Sequence, residues 1–251
     1  MQNIQNRAMR HFLGLNKFSP NLMLEGDMGW IPMHIEVKCN MIRLWNRICN
    51  LNSTRIPKII LNWEIENGIN NWAFEINEIL SSVNIHTNLE NIYTVDLDDV
   101  KNRLLELEEQ QWKESVCSKP KLRTYIKFKT EVGIEEYVTK CTNKYKRSLL
   151  AQFRSGTFPL QIEIGRYRNT PLNERTCQIC KTNEIGDEFH VICNEYQNIR
   201  DILFSQIKHR NDVFETMSNE NKFLELMQNY PIDLSNFLFQ AIQRRATKLF
   251  N

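Results

Sequence analysis

The chain has 251 residues, 41% of them hydrophobic and 25% charged, with a net charge of +2. That length serves one large domain or two small ones with a buried core, and no run of about 18 apolar residues offers a membrane span. Seven cysteines, an odd number without a dense disulfide framework, point to a reducing, intracellular setting (nucleus or cytoplasm) and to metal ligation.

Residues 1–20 read as a basic amphipathic helix ending near Ser19-Pro20, and the segment lacks the apolar core of a signal peptide. Gly26, Gly29 and Pro32 mark a turn-rich connector. Val37, Met41, Leu44, Trp45 and Ile48 recur at helical spacing and give the next helix its core face. Pro57 permits a helix over 58–66, which Gly68 breaks. Asn70 or Asn71 can cap the following helix, buried through Trp72, Ile76, Ile79, Leu80 and Val83. After a polar loop over 84–96, Asp96 can cap a helix with Asp99 in its first turn, where negative charge suits the dipole. Leu97, Val100, Leu104 and Leu107 form that helix's apolar side.

Charge is segregated along the chain. Residues 90–114 carry eight acidic and three basic side chains, a pattern usual for a solvated face. From Lys119 to Arg168 twelve lysines and arginines face four glutamates. Lys121, Arg123, Lys127 and Lys129 come first. Lys140, Lys144, Arg147 and Arg154 fall on one stripe of a helix, and Tyr145, Leu149 and Phe153 make a separate apolar stripe. Gly156 and Pro159 end that helix, and Arg166 and Arg168 close the basic region. Tyr125, Phe128, Tyr145, Phe158 and Tyr167 are interleaved with the cations. Clustered cations beside aromatics are the footprint of a nucleic-acid surface, with phosphates on the cations and unpaired bases on the rings. The other reading is a solvated basic face over a core that holds the aromatics.

Cys177–Cys193 reads CQICKTNEIGDEFHVIC. Cys177 and Cys180 form a Cys-x2-Cys pair, and His190 and Cys193 lie one helical turn apart. These four donors match the ligand set of a closed structural zinc site, which leaves no open position for catalysis. Ordinary reduced, buried cysteines with a core histidine are the alternative, as is a remnant that no longer holds metal. Beyond Cys193, Tyr196, Ile199, Leu203 and Ile207 continue a helix. Two more follow, near 219–229 capped by Ser218 and near 234–249 after Pro231. No phosphate loop of the GxxxxGK type and no Gly-x-Ser-x-Gly elbow occurs. The acidic pairs Asp98-Asp99 and Glu135-Glu136 read as solvated or capping, and no set of carboxylates suits two-metal chemistry. The pattern predicts a mainly α protein: an irregular helical array with a small CCHC zinc-knuckle subdomain and no internal repeat.

The stretch LQIEIGRYRNTPLNERTCQICKTNEIGDEFHVICNEYQNIR resembles the segment downstream of the polymerase domain in non-LTR (LINE-like) retrotransposon endonuclease–reverse transcriptases. Ile162–Arg166, Cys177/Cys180, Asp187–His190 and Cys193 carry the likeness. Upstream, NRAMRHFLGL, EGDMGW with IP, MIRLWNRI and KLRTYIKFK are also similar to that family, so the resemblance covers about residues 4–207. Asn194 stands where the family often has proline. The resemblance implies a C-terminal fragment or stand-alone remnant with thumb-like and linker helices over 1–115. It further implies a zinc knuckle with its following helix over 169–207, while the residue pattern itself gives a basic helical segment over 116–168 and terminal helices over 208–251. It implies contact with template RNA or target DNA. The family's Phe/Tyr-Ala-Asp-Asp phrase is missing, so no polymerase or nuclease activity carries over, and neither a membrane nor a small-molecule substrate is expected. The runner-up is a zinc-stapled helical protein-interaction domain that binds no nucleic acid.

Overall fold

Capping residues set where the helices begin. In the structure, a computed structural model that describes residues 2–67, 71–85, 94–180 and 193–250, twelve α-helices are present among the described residues. They are α1 (Gln2–Leu13), α2 (Asn21–Met28), α3 (Met33–Cys49), α4 (Ile56–Asn67), α5 (Trp72–Ser82) and α6 (Leu97–Cys117) in the first half. The second half holds α7 (Glu136–Lys140), α8 (Lys144–Arg154), α9 (Gln161–Tyr167), α10 (Gln197–Lys208), α11 (Asn219–Asn229) and α12 (Pro231–Phe250). The mainly helical architecture matches the sequence pattern. No helix is long and apolar enough to cross a membrane among the described residues.

The chain divides into two compact units. One contains residues 1–5 and 31–112, the other residues 6–30 and 113–251. Position in the chain therefore does not decide membership, because the EGDMGW segment joins the later residues.

In the first unit, α3 to α6 enclose a single apolar core. Ile35, Cys39, Ile42 and Trp45 of α3 meet Leu61 of α4, Ala73, Ile76, Ile79 and Leu80 of α5, and Val100 and Leu104 of α6. The buried face of α3 is rotated from the expected one: Leu44 is exposed, while Met41 and Ile48 only flank the core. MHIEVKCNMIRLWNRIC carries apolar residues around most of its circumference, so spacing alone admits two neighbouring faces. Asn71 caps α5 as expected, its Oδ1 accepting from the Phe74 N–H at 2.9 Å, and its Nδ2 donates to Glu64 O at the end of α4 at 2.6 Å. Asp96 Oδ1 likewise accepts from the N–H of Asp98 at 2.9 Å. On α4, Ile56, Ile59, Ile60 and Trp63 face outward, each more than half exposed.

The second unit is built around a buried ion pair. The expected connector, residues 25–32, begins inside a helix: α2 runs to Met28, with Gly26 buried within it. The helix stops at Gly29, whose φ is +59° and whose N–H returns to Glu25 O. Glycine is needed there twice over, for the left-handed backbone and because a Cβ would meet Ile134 N at 2.6 Å. The last turn of α2 thereby presents Asp27 to the interior. Arg154 Nε donates to Asp27 Oδ2 at 2.7 Å and its Nη2 donates to Oδ1 at 2.8 Å. Tyr125 and Tyr137 each donate a hydroxyl to the same carboxylate at 2.8 Å. Glu135 approaches Arg154 Nη2 at 3.1 Å, and Met227 O accepts from Nη1 at 3.2 Å. The guanidinium also lies 4.7 Å from the centre of the Phe128 ring.

Burial alone would push the Arg154 guanidinium down, but Asp27 and then Glu135 more than offset it and hold it above its usual value. Burial and the adjacent Asp27 charge push both tyrosine hydroxyls well above their ordinary value, so they remain donors at neutral pH.

The basic stripe does not lie on one helix. Residues Cys141–Asn143 separate α7 from α8, and Asn143 Oδ1 caps α8 by accepting from Tyr145 and Lys146 N–H at 3.0 Å. Helix α8 packs on α12, which also meets α10 and α11. Ser218 caps α11. Phe153 packs edge-on against Phe158 and Phe223 at 5.4 and 5.9 Å.

Removing either member of a buried ion pair strands the other charge, at about 3–5 kcal/mol. Asp27→Asn and Arg154→Met are each expected to lower unfolding stability by that amount in urea titrations. Tyr125→Phe should cost only about 1 kcal/mol, because Asp27 keeps its remaining donors.

Candidate metal centre and nucleic-acid interface

Two guanidinium anchors position the cysteines. Arg175, two residues before Cys177, donates from Nε to Thr170 O at 2.9 Å and from Nη1 to Ile162 O at 3.3 Å. Its stem lies against Gly165 of α9, where a Cβ would meet Arg175 Cγ and Cδ at 2.7 Å. The glycine of the IEIGR phrase is thus where the arm leading to Cys177 crosses α9. On the other side Cys193 opens a 3-10 turn, Asn194–Tyr196, that runs into α10. Arg200, buried one turn into that helix, donates to Cys193 O at 2.9 Å.

These anchors bring three sulfurs together. The Sγ atoms of Cys177, Cys180 and Cys193 all lie within 4.8 Å of one another, and those of Cys180 and Cys193 are 3.5 Å apart. A tetrahedral ion with metal–sulfur bonds of about 2.3 Å needs sulfurs about 3.8 Å apart. The sulfurs lie close enough together that the three cysteines could hold a metal ion. Cys177 and Cys193 are buried and Cys180 is half-buried. Burial pushes the Cys193 thiol up, and the neighbouring Cys180 adds to it. Thiolates in such a place need a cation beside them. Among the described residues this is the one cluster of three or more histidine, cysteine or acidic donors placed for a metal. Cys39, Cys49, Cys117 and Cys141 are free thiols outside it. His190, the expected fourth ligand, lies outside the described residues.

The ten cations assigned to a nucleic-acid face fall into three groups. Arg123, Lys127, Lys140, Lys144 and Arg168 are exposed. Three of these have acidic neighbours: Arg123 has Glu163 at 3.8 Å, while Lys127 has Glu220 and Lys140 has Glu136, both at 2.9 Å. Lys121, Lys129, Arg147 and Arg166 are partly buried. Lys121 bridges Phe18 O and the Tyr167 hydroxyl, Lys129 pairs with Glu135, and Arg166 pairs with Glu163. Arg147 donates to Phe12 O and Cys141 O and stacks over the Phe12 ring at 4.2 Å.

Arg154 is 2% exposed and corrects the sequence reading: it is the core partner of Asp27 and cannot touch phosphate. The break at Cys141–Asn143 gives α8 its own axis, so the last residue of α8 need not face as Lys140 does. The aromatics divide too. Tyr125, Phe128 and Phe158 are core residues, while Tyr145 and Tyr167 are exposed.

Sequence reasoning missed Asp27, Glu135 and Tyr137 as partners, and Arg175 and Arg200 as anchors. Asp27 carried a signal, since a lone carboxylate among Met23, Leu24 and Met28 is a charge on an apolar face that requires a buried counter-charge. Compared with known family models, curated proteins and solved structures, the chain gives no match.

Metal held by thiolates is displaced by acid as well as by chelator, because protons compete for the sulfurs. Purified protein is expected to carry metal that a chelator removes, and Cys180→Ser to abolish it. Both should lower the thermal midpoint by more than about 4 °C, equivalent to at least 1 kcal/mol for a chain of this size. An unchanged melting curve in excess chelator would remove the centre from the structure's stability.

Proposed function

We propose that this chain is a non-catalytic nucleic-acid-binding region of the kind found at the C-terminal end of non-LTR retrotransposon reverse transcriptases, folded around one structural zinc ion. The observation that carries the reading is the gathering of the Cys177, Cys180 and Cys193 sulfurs in the segment where the resemblance implies a knuckle. In this reading His190 completes the set, and the thiolate-rich donors favour zinc over magnesium or calcium. Four protein ligands close the coordination shell, so the ion's role is to fix the turn before α10. The exposed cations Arg123, Lys127, Lys140, Lys144 and Arg168 supply the phosphate contacts, on template RNA or target DNA inside the cell.

Binding should then weaken as salt rises, with a slope of about 0.7–0.9 per phosphate contact. Replacing Lys140, Lys144 and Arg168 together with glutamine is expected to flatten the salt slope by about 2 units in anisotropy titrations. A protein that ignores structured RNA, single-stranded DNA and duplex DNA at low salt would defeat the proposal.

A second reading, a protein-interaction surface, is favoured by the outward stripe Ile56, Ile59, Ile60 and Trp63 on α4. The occupant with matching chemistry is a second copy of the chain. An antiparallel α4 about a two-fold axis near residue 60 sets Ile56 against Trp63. It also brings the exposed Arg55 at one helix end beside Glu66 at the other. Those charges run against their own helix dipole but suit an antiparallel neighbour. Light scattering at tens of micromolar should report a dimer that Trp63→Glu converts to monomer. A wild-type chain that stays monomeric would exclude this second reading.

A further inference from the structure

The second unit carries an open cavity of about 380 Å³ that the metal centre does not use. Phe158, Pro159 and Ile164 give it an apolar lining, and the rings of Phe18 and Tyr167 form part of its wall. Phe18 and Tyr167 are about two-thirds exposed, at 67% and 65%, and each has a lysine ammonium over its ring, Lys17 at 5.1 Å and Lys121 at 5.5 Å. They are held in place all the same. Lys121 Nζ donates to Phe18 O and to the Tyr167 hydroxyl, both at 2.8 Å, and so ties the two walls together. Asn16 and Thr157 add polar groups to the lining.

Cations stand beside the residues that line the cavity. Lys17 Nζ lies 5.1 Å from the centre of the Phe18 ring. Arg123 and Arg166 both approach Glu163, which lines the cavity. Together with Lys121, that sets four cations against one carboxylate. Burial pushes the Arg166 guanidinium down, and the charges of Arg123 and Arg175 push it further in the same direction.

We propose that the cleft between Phe18 and Tyr167 takes one unpaired base of a single-stranded nucleic acid, with the flanking phosphates on Lys17, Lys121, Arg123 and Arg166. An apolar slot with aromatic walls matches the faces of a base, and the cations beside it match the phosphates on either side. A base within a duplex is stacked and cannot enter, so the cleft distinguishes single from double strands. This proposal rests on the nucleic-acid reading above and narrows it to one subsite.

The test uses the full chain with three fluorescent probes: a 12-nucleotide single strand, its duplex and a mononucleotide. Phe18→Ala and Tyr167→Ala are each expected to weaken single-strand binding about tenfold, the usual worth of a stacked base, while duplex binding stays the same. Tyr167→Phe, which keeps the ring but loses the Lys121 bond, should bind the single strand more tightly than Tyr167→Ala. Tyr167→Leu, tested beside it, separates loss of stacking from loss of apolar bulk and serves if the alanine variant melts early. Alanine and leucine variants that hold the single strand as wild type does would overturn the stacking site, and salt-dependent binding by wild type would leave the nucleic-acid reading standing. A wild-type chain that binds none of the probes would fail both. A mononucleotide bound as tightly as the strand would overturn the strand as occupant.

Discussion

Asp27 and Arg154 are separated by 127 residues and meet in the buried interior through two hydrogen bonds of 2.7 and 2.8 Å. A carboxylate and a guanidinium removed from water each carry a large desolvation penalty, which is offset only where every remaining donor and acceptor is occupied. The second unit supplies those partners from α2, the 120s turns, the start of α7, the end of α8 and α11. Each must arrive in register for the set to close. The pair therefore works as a specification for that unit, fixing which segments meet. Gly29 belongs to the same constraint, since it turns the chain at the point where the Gly133–Ile134 backbone presses against it.

The metal centre is organised on a related plan at smaller scale. Arg175 before the cysteines and Arg200 after them reach main-chain carbonyls, so guanidinium groups hold the arms that bring together three sulfurs able to take a metal ion. Cys177 and Cys193 are buried, which makes ionised thiols costly without a cation. The same burial shields a bound ion from water.

Charge density in the sequence and charge on the surface are different quantities. The excess of cations over residues 119–168 is plain in the composition, yet Arg154 is spent in the core. Lys129, Lys140 and Arg166 have glutamate partners close in sequence, and Lys127 pairs with Glu220 far along the chain. Several of these cations thus meet carboxylates, and some of them stand near an aromatic-lined cavity that no linear pattern announced. Phe18 lay in a segment read as the end of a helix and Tyr167 in a series of interleaved aromatics. Only the fold makes them walls of one cavity.

Local chemistry settled a good deal in advance. Asn71, Asp96 and Ser218 cap the helices that their side chains predict, because a cap is a contact over two or three residues and needs nothing distant. The helix around Ile76, Ile79 and Leu80 and the Cys-x2-Cys pair were legible for the same reason. Three things were decided by tertiary structure alone: which face of α3 is buried, that EGDMGW is a helix end and not a connector, and that Arg154 points inward. Each depends on what arrives from elsewhere in the chain: the packing of α4, α5 and α6, the approach of residues 133–134, and a carboxylate 127 positions away. Periodicity and composition register neighbours along the sequence, whereas the burial of a charge is fixed by neighbours in space.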